Sequence, residues 1–194
     1  MIARFGTASI SKRNEYLTRP LLFPAVLTPS QCSSILAHWD DEKSGCGEMD
    51  DVDASYLRRG DVLWFGHETP VGVAFHSLAS LLIPKILSYY EFDATAYGEQ
   101  LQLCRYRIGD HLNWHVDTAA GETSIRKISL SLQLASEAAY EGGDLEFCPG
   151  GSVKGGRKLG SLIAFPSYLA HRITPVASGT RFSLVTWIHG EPFR

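Results

Sequence analysis

From Leu101 to Ile188 the chain falls into seven short runs rich in apolar and β-branched residues, separated by turns bearing Gly, Pro or Asp. The runs are 101–108, 114–117, 127–134, 144–148, 161–165, 170–175 and 182–188. Segments this short and this regularly punctuated predict strands of a sandwich or jelly roll rather than helices. Run 127–134 is the most explicit. Ile128, Leu130, Leu132 and Leu134 alternate with Ser129, Ser131 and Gln133, and successive strand side chains point to opposite faces. The leucine face is expected against a helical layer, and the polar face is expected to line a ligand cavity.

The helices precede this block. Thr28-Pro29 and Thr69-Pro70 each read as an N-cap followed by Pro at the first helical position. Cys32, Ile35, Leu36 and Trp39 follow the first signal at helical spacing, and Phe75, Leu78, Leu82, Ile86 and Tyr90 follow the second. Pro84 is expected to kink or divide that second helix. The fold expected is mainly β with N-terminal helices: a double-stranded β-helix (jelly roll) with supporting helices packed on one sheet. Within 194 residues this makes one catalytic domain over 21–194, with helical support over 21–96 and the β core over 97–194, after a polar arm over 1–20.

Charge and cysteine content narrow the class. The net charge is −3, poor material for a nucleic-acid clamp, which wants a basic face. Cys32, Cys46, Cys104 and Cys148 lack metal or disulfide spacing and read as reduced thiols. The first twenty residues lack an apolar segment of signal-peptide length, and the apolar runs elsewhere are short for a bilayer. A cytoplasmic protein with no membrane partner is the expectation. The stretch 40–53 holds seven carboxylates against Lys43; it reads as a solvated loop, or as a flap that meets a basic substrate. His38, His67 and His76 call for no chemistry, and His189, past the last strand, is expected at the surface.

The chemistry begins at His115-Val116-Asp117. In an extended strand the imidazole and carboxylate project together, supplying two members of a facial triad suited to non-haem Fe(II). Seven His and ten Asp would produce such a pair by chance in about one chain in three, the ordinary risk of a short motif. The remaining residues give it weight. His171 opens a later strand after the bend at Pro166. Arg181 opens the last strand, with Ser183, Val185 and Trp187 on its face. Arginine suits bidentate capture of a carboxylate, and a buried carboxylate needs such a cation to offset its desolvation. Three protein ligands on an octahedral Fe(II) leave two positions for a 2-oxo acid and one for O2.

Over Gln102 to Trp187 the chain resembles the Fe(II)/2-oxoglutarate-dependent oxygenases of the prolyl 4-hydroxylase superfamily, the PKHD-type hydroxylases especially. The pieces that carry the likeness are Tyr106-Arg107-Ile108-Gly109-Asp110, His115-Val116-Asp117 and the run Arg126 to Leu134. Tyr140-Glu141-Gly142-Gly143-Asp144-Leu145, Gly160 to Pro166, His171, Gly179-Thr180-Arg181-Phe182-Ser183 and Trp187 complete it. The resemblance implies Fe(II) held by His115, Asp117 and His171, and 2-oxoglutarate held by Arg181, with Ser183 and Tyr106 as hydrogen-bond partners. No catalytic residue beyond the metal centre is implied. Asn113, Ser131 and Trp187 are expected on the substrate side, with His111 near the mouth.

The implied reaction hydroxylates an amino-acid side chain, in a protein or peptide residue such as proline or in a free amino acid. It consumes O2 and converts 2-oxoglutarate to succinate, with ascorbate as an added reductant. Asp117 occupies the place where related halogenases carry a small residue, which favours hydroxylation. The six residues after Ile188 leave no counterpart to the C-terminal extension common in PKHD-type members. Two other readings compete: an AlkB-like nucleic-acid demethylase, and a metal-carrying jelly-roll binding module without catalysis. The first wants a second Arg six residues after Arg181, where Trp187 stands; the second leaves Arg181 and Ser183 without a purpose.

Overall fold

A computed structural model describes residues 14–46, 54–97 and 99–193. In chain order its first elements are β1 (Leu21–Phe23), α1 (Pro29–Leu36), β2 (Gly45–Cys46), α2 (Ala54–Leu57), β3 (Arg58–Arg59), β4 (Asp61–Phe65) and α3 (Pro70–Tyr90). Next come β5 (Ala96–Tyr97), β6 (Leu101–Tyr106), β7 (His111–His115), β8 (Arg126–Gln133), β9 (Tyr140–Gly142) and β10 (Leu145–Cys148). The chain closes with β11 (Gly151–Ser152), β12 (Leu162–Pro166), β13 (Ala170–Ile173), β14 (Val176–Gly179) and β15 (Arg181–His189).

Two antiparallel sheets face each other. The larger runs β1-β12-β8-β15-β6-β4-β2, with β5 added beside β15; the smaller runs β11-β10-β13-β7-β3. This is the jelly roll expected. The alternation in β8 sorts the layers. Ile128, Leu130, Leu132 and Leu134 join Leu103, Leu184, Ile188 and Leu162 in one core with Cys32 and Ile35 of α1 and Phe75, Ala79, Ile86 and Tyr90 of α3. Burying a side chain of this size is worth about 1.5–3 kcal/mol, so this face anchors the helices to the larger sheet. Its opposite face is left for chemistry.

Both helix starts form as their sequences dictate. The Thr28 hydroxyl accepts from the Gln31 amide at 3.3 Å and Gln31 reaches back to the Thr28 amide at 2.9 Å, a reciprocal capping box. Thr69 accepts from the Gly72 amide at 3.1 Å. Pro84 does not divide the second helix, which runs unbroken from Pro70 to Tyr90. The ring is exposed, while buried Ala79, Ile86 and Tyr90 on either side hold the helix to the sheet. Packing outweighs the hydrogen bond that Pro removes. The same helix, 21 residues long with an 18-residue stretch of mean hydropathy 1.5, is long and apolar enough to cross a bilayer by length and composition, contrary to the expectation from short apolar runs. Ser, Pro and Lys break it into short runs without making it polar on average.

Residues 14–20 are bound rather than loose. Asn14 Nδ2 donates to Tyr90 O at 2.9 Å, Tyr16 stacks on Tyr89, and the Tyr168 hydroxyl donates to Leu17 O at 2.9 Å. Residues 1–13 of the expected arm, and 47–53 of the acidic stretch, lie outside the described residues. The start of that stretch is folded: Asp41 takes Trp39 Nε1 at 3.0 Å and Arg105 at 2.6 Å, and Asp40 takes Lys43 at 2.8 Å.

Candidate active site

The smaller sheet brings the two histidines together. β13 and β7 pair antiparallel with His171 opposite His115 and Ile173 opposite Leu112. Two steps along β13 therefore match three along β7, a β-bulge that takes up Asn113 and Trp114. The extra residue lets both Leu112 and His115, three apart in sequence, face the cavity between the sheets. A regular strand would have turned Asn113 inward with His115. Asn113 is absent from the cavity lining, and its Nδ2 donates to Tyr56 O at 2.6 Å. Trp114 lies outside under the Arg172 guanidinium, 4.8 Å from it. His111 pairs with Arg59 across the strand edge and also does not line the cavity.

Asp117 follows β7 directly, and its amide donates to Ser167 O at 2.8 Å. Its carboxylate lies 3.4 Å from His115 Nε2 and 3.6 Å from His171 Nε2. The ligand atoms of His115, Asp117 and His171 all fall within 4.8 Å of one another. Each imidazole has its Nδ1 at 2.9 Å from a backbone carbonyl, of Asn113 for His115 and of Leu169 for His171. A carbonyl only accepts, so each Nδ1 carries the proton and each Nε2 turns its lone pair into the space that the Asp117 carboxylate also faces.

The electrostatics agree. Burial lowers the His171 imidazole, opposed by Asp117, and the balance keeps it below its ordinary value. Burial would raise the Asp117 carboxyl, but His171, His115 and the Ser129 hydroxyl outweigh it and hold it far below the usual carboxylate range. Two imidazoles and one carboxylate gathered in one place form a donor set for a divalent transition metal. Ser129 Oγ donates to Asp117 Oδ2 at 2.5 Å and lies 3.0 Å from Ser167 Oγ.

The larger sheet supplies the rest of the cavity. Arg181, Ser183, Val185 and Trp187 line it from β15, and Gln102, Cys104 and Tyr106 from β6. Arg181 is 3% exposed, donates from Nη1 to Ser183 Oγ at 2.8 Å, and lies 5.6 Å from the Tyr106 ring. Burial pushes the Tyr106 hydroxyl up to about 12, so it remains a proton donor at neutral pH. Ser131 lines the same space from β8. An apolar groove of about 470 Å³ between α1 and α3 carries no ionisable side chain besides His38, and it lies behind the larger sheet.

The sequence profile of the 2OG-Fe(II) oxygenase superfamily matches residues 101–189, the span that holds His115, Asp117, His171, Arg181 and Ser183. A PKHD-type hydroxylase of Shewanella oneidensis is 33% identical over 160 residues, covering 77% of this chain and 66% of the relative. The chain belongs to the 2OG-Fe(II) oxygenase superfamily. A second PKHD-type hydroxylase, from Synechococcus sp. (strain CC9605), is 36% identical over 90 residues, 45% of this chain and 40% of the relative. These matches thus span from two-fifths to just under two-thirds of the relatives' lengths.

Solved structures of the superfamily share the fold. A Pseudomonas putida prolyl-4-hydroxylase superposes with a TM-score of 0.69 at 17% identity, over 89% of this chain and 92% of that one. The viral collagen prolyl hydroxylase of Paramecium Bursaria Chlorella virus-1 does so at 0.64 and 19% identity, over 89% and 96%.

Three groups around this site have no site role in the sequence reading. Arg58 lines the cavity from β3 and donates to Gln102 Oε1 at 3.3 Å. Arg126 donates from Nη1 to Asp117 O at 3.1 Å, lies 3.7 Å over the Trp187 ring, and donates from Nε to Glu99 Oε1 at 2.6 Å. His189 is buried rather than at the surface, with Nε2 at 2.9 Å from Glu99 Oε1. β15 runs one residue past Ile188, and His189 pairs there with β5 and β8, which carries it inward. Arg126 directly precedes the alternating run of β8, and that adjacency was the available signal.

Proposed function

We propose that the protein is an Fe(II)- and 2-oxoglutarate-dependent hydroxylase of an amino-acid side chain, with residues 21–194 as one catalytic unit. What carries the reading is the placement of the His115-Asp117-His171 cluster and the Arg181-Ser183 pair in a single cavity. His115, Asp117 and His171 would hold the metal. Bound there with 2-oxoglutarate and O2, it would supply oxidative decarboxylation of the 2-oxo acid coupled to hydroxylation of a C–H bond.

The chain's own part is to orient and to exclude water. The Asn113 and Leu169 carbonyls fix both imidazole tautomers, and Ser129 fixes the carboxylate rotamer. Arg181 offsets the desolvation of the co-substrate's distal carboxylate, and Ser183 and Tyr106 donate beside it. Leu112, Leu145, Phe165 and Ile173 keep the space between these ends dry. A side chain in a protein or peptide is the favoured substrate class: a structural neighbour from Trichoplax adhaerens is a prolyl hydroxylase in complex with a peptide fragment.

Calorimetric titration separates the two ends of the site. Wild type is expected to bind Mn(II), a redox-inert stand-in for Fe(II), and then 2-oxoglutarate. His115→Ala should lose the metal. Arg181→Ala should keep the metal and bind 2-oxoglutarate about 100-fold more weakly. Equal 2-oxoglutarate affinity in Arg181→Ala would place the co-substrate elsewhere.

A further inference from the structure

Beyond Arg181 the cavity does not end at once. A small continuation shares Ser131, Leu145 and Arg181 with it and is walled by Gln133, Tyr140 and Arg157. Tyr140 begins β9, a strand that the sequence pattern left within a turn.

The direction of each proton at this wall can be deduced. Gln133 Nε2 lies 3.1 Å from Ala135 O and 2.9 Å from the Tyr140 hydroxyl. Ala135 O only accepts, which fixes the amide with its NH2 on this side. The same NH2 then donates to Tyr140, so the Tyr140 oxygen is an acceptor in that bond. Its own proton must point elsewhere, and no described residue accepts it. Ser183 repeats the arrangement: its oxygen accepts from Arg181, and no described residue takes its proton. Ser183 lines the main cavity, Tyr140 lines its continuation and Arg181 lines both, so two hydroxyl protons flank one guanidinium where the two spaces join. That is a site built for an anion.

The wall is also rigid. Arg157 donates from Nη2 to Tyr140 O at 2.8 Å, and from Nη1 to Gly142 O at 2.7 Å and Asp144 Oδ1 at 2.8 Å. Its guanidinium lies 4.3 Å over the Tyr140 ring. Gly143, at φ +61°, has so little room that a Cβ would sit 3.1 Å from Arg181 Cδ and 3.3 Å from the Tyr140 ring. Tyr140 is held by its ring, its main chain and its hydroxyl, and it cannot retreat from a longer ligand.

We infer that Tyr140, oriented by Gln133 and braced by Arg157, is a further donor to the distal carboxylate of the 2-oxo acid and sets the chain length the cavity accepts. The inference rests on the co-substrate reading above and adds the residue that measures the acid. A hydrogen bond to a charged group is worth enough for about a tenfold difference in affinity or more. One methylene too many against a rigid wall costs about 10–200-fold.

Binding of three acids to the Mn(II)-loaded protein, measured by calorimetry, tests it: 2-oxoglutarate, 2-oxoadipate with one more methylene, and 2-oxovalerate with no distal carboxylate. Wild type should prefer 2-oxoglutarate to both. Tyr140→Phe should lower 2-oxoglutarate affinity about tenfold while leaving 2-oxovalerate unchanged, a ratio that mere loosening of the fold would not move. Gln133→Leu, which releases the Tyr140 proton to turn away, should shift the ratio in the same direction. Tyr140→Ala should narrow the gap between 2-oxoglutarate and 2-oxoadipate. An unaltered ratio of 2-oxoglutarate to 2-oxovalerate in both Tyr140→Phe and Gln133→Leu would overturn the inference and leave the co-substrate site standing. Failure of wild type to bind 2-oxoglutarate would overturn both.

Discussion

His115 and His171 lie opposite each other across β7 and β13, ring centroids 4.1 Å apart, although 56 residues separate them in the chain. The pairing is exact only because the bulge at Asn113 and Trp114 gives β7 one more residue than β13 over the same length. Asp117 then reaches both Nε2 atoms from the end of the same strand. The His115-Asp117-His171 cluster is therefore a property of strand register, and residues that hold the register or the carboxylate should affect any metal it binds without touching a ligand.

Ser129 is the most direct case. Ser129→Ala removes the 2.5 Å bond to Asp117 Oδ2 and leaves a buried site with the apolar face of β8 intact. Metal affinity should fall about tenfold or somewhat more, the usual cost of losing a partner of a metal ligand, with little change in melting temperature. Mn(II) titration checks it; unchanged affinity would mean that Ser167 and the backbone orient Asp117 alone.

Pro84 yields a stability prediction of the opposite sign. The ring is exposed in the interior of a continuous helix, where Pro is disfavoured by about 3 kcal/mol relative to Ala. Part of that cost is recovered through the stiffer unfolded chain. Pro84→Ala should stabilise the protein by about 1–2 kcal/mol, measurable by urea denaturation. A loss of stability would show that the helix depends on a bend there.

Gly160 tests the joint between β1 and the core. Val26 N and Leu27 N donate to Gly160 O at 2.8 and 3.3 Å. At φ +75°, a Cβ on Gly160 would sit 2.1 Å from Leu27 O. Gly160→Ala combines left-handed strain with that clash and should cost about 2–3 kcal/mol. Denaturation within 0.5 kcal/mol of wild type, by the same measure, would contradict the close approach.

Asp61 should make stability depend on acid. Burial would raise its carboxyl, but the Arg107 and Arg105 hydrogen bonds outweigh it and hold it below its ordinary value. A carboxyl depressed in the folded state stabilises fully above its unfolded pKa, and that contribution is lost as pH falls through the folded value. Asp61→Asn should therefore cost about 1–2 kcal/mol at pH 7 and less as the pH drops below about 4. Parallel melting curves at pH 7 and pH 3.5 measure it. An equal deficit at both would assign the loss to packing.

The sequence made the layers and the chemistry legible for a local reason. Alternation in 127–134, caps at Thr28 and Thr69, and the order His115, Asp117, His171, Arg181 are all written in short stretches. What escaped it depends on pairing at long range. The bulge that turns Asn113 outward is imposed by β13, and nothing in 111–117 announces it. Arg126, Glu99 and His189 meet only because β15 continues past Ile188 beside β5 and β8. Pro84 misled through propensity, which the core contacts of Ile86 and Tyr90 override. Tyr140 belongs to a legible motif, yet its position beside Arg181 requires the β9–β14 ribbon to fold over the cavity's end.

On the proposed function, His115, Asp117 and His171 hold Fe(II) next to a co-substrate captured by Arg181. Anaerobic addition of Fe(II) and 2-oxoglutarate to the purified apo-protein tests it most directly. Wild type should develop the weak visible charge-transfer band of the Fe(II)–2-oxo acid chelate, and His171→Ala should not. No band in wild type, or the same band in His171→Ala, would contradict the account.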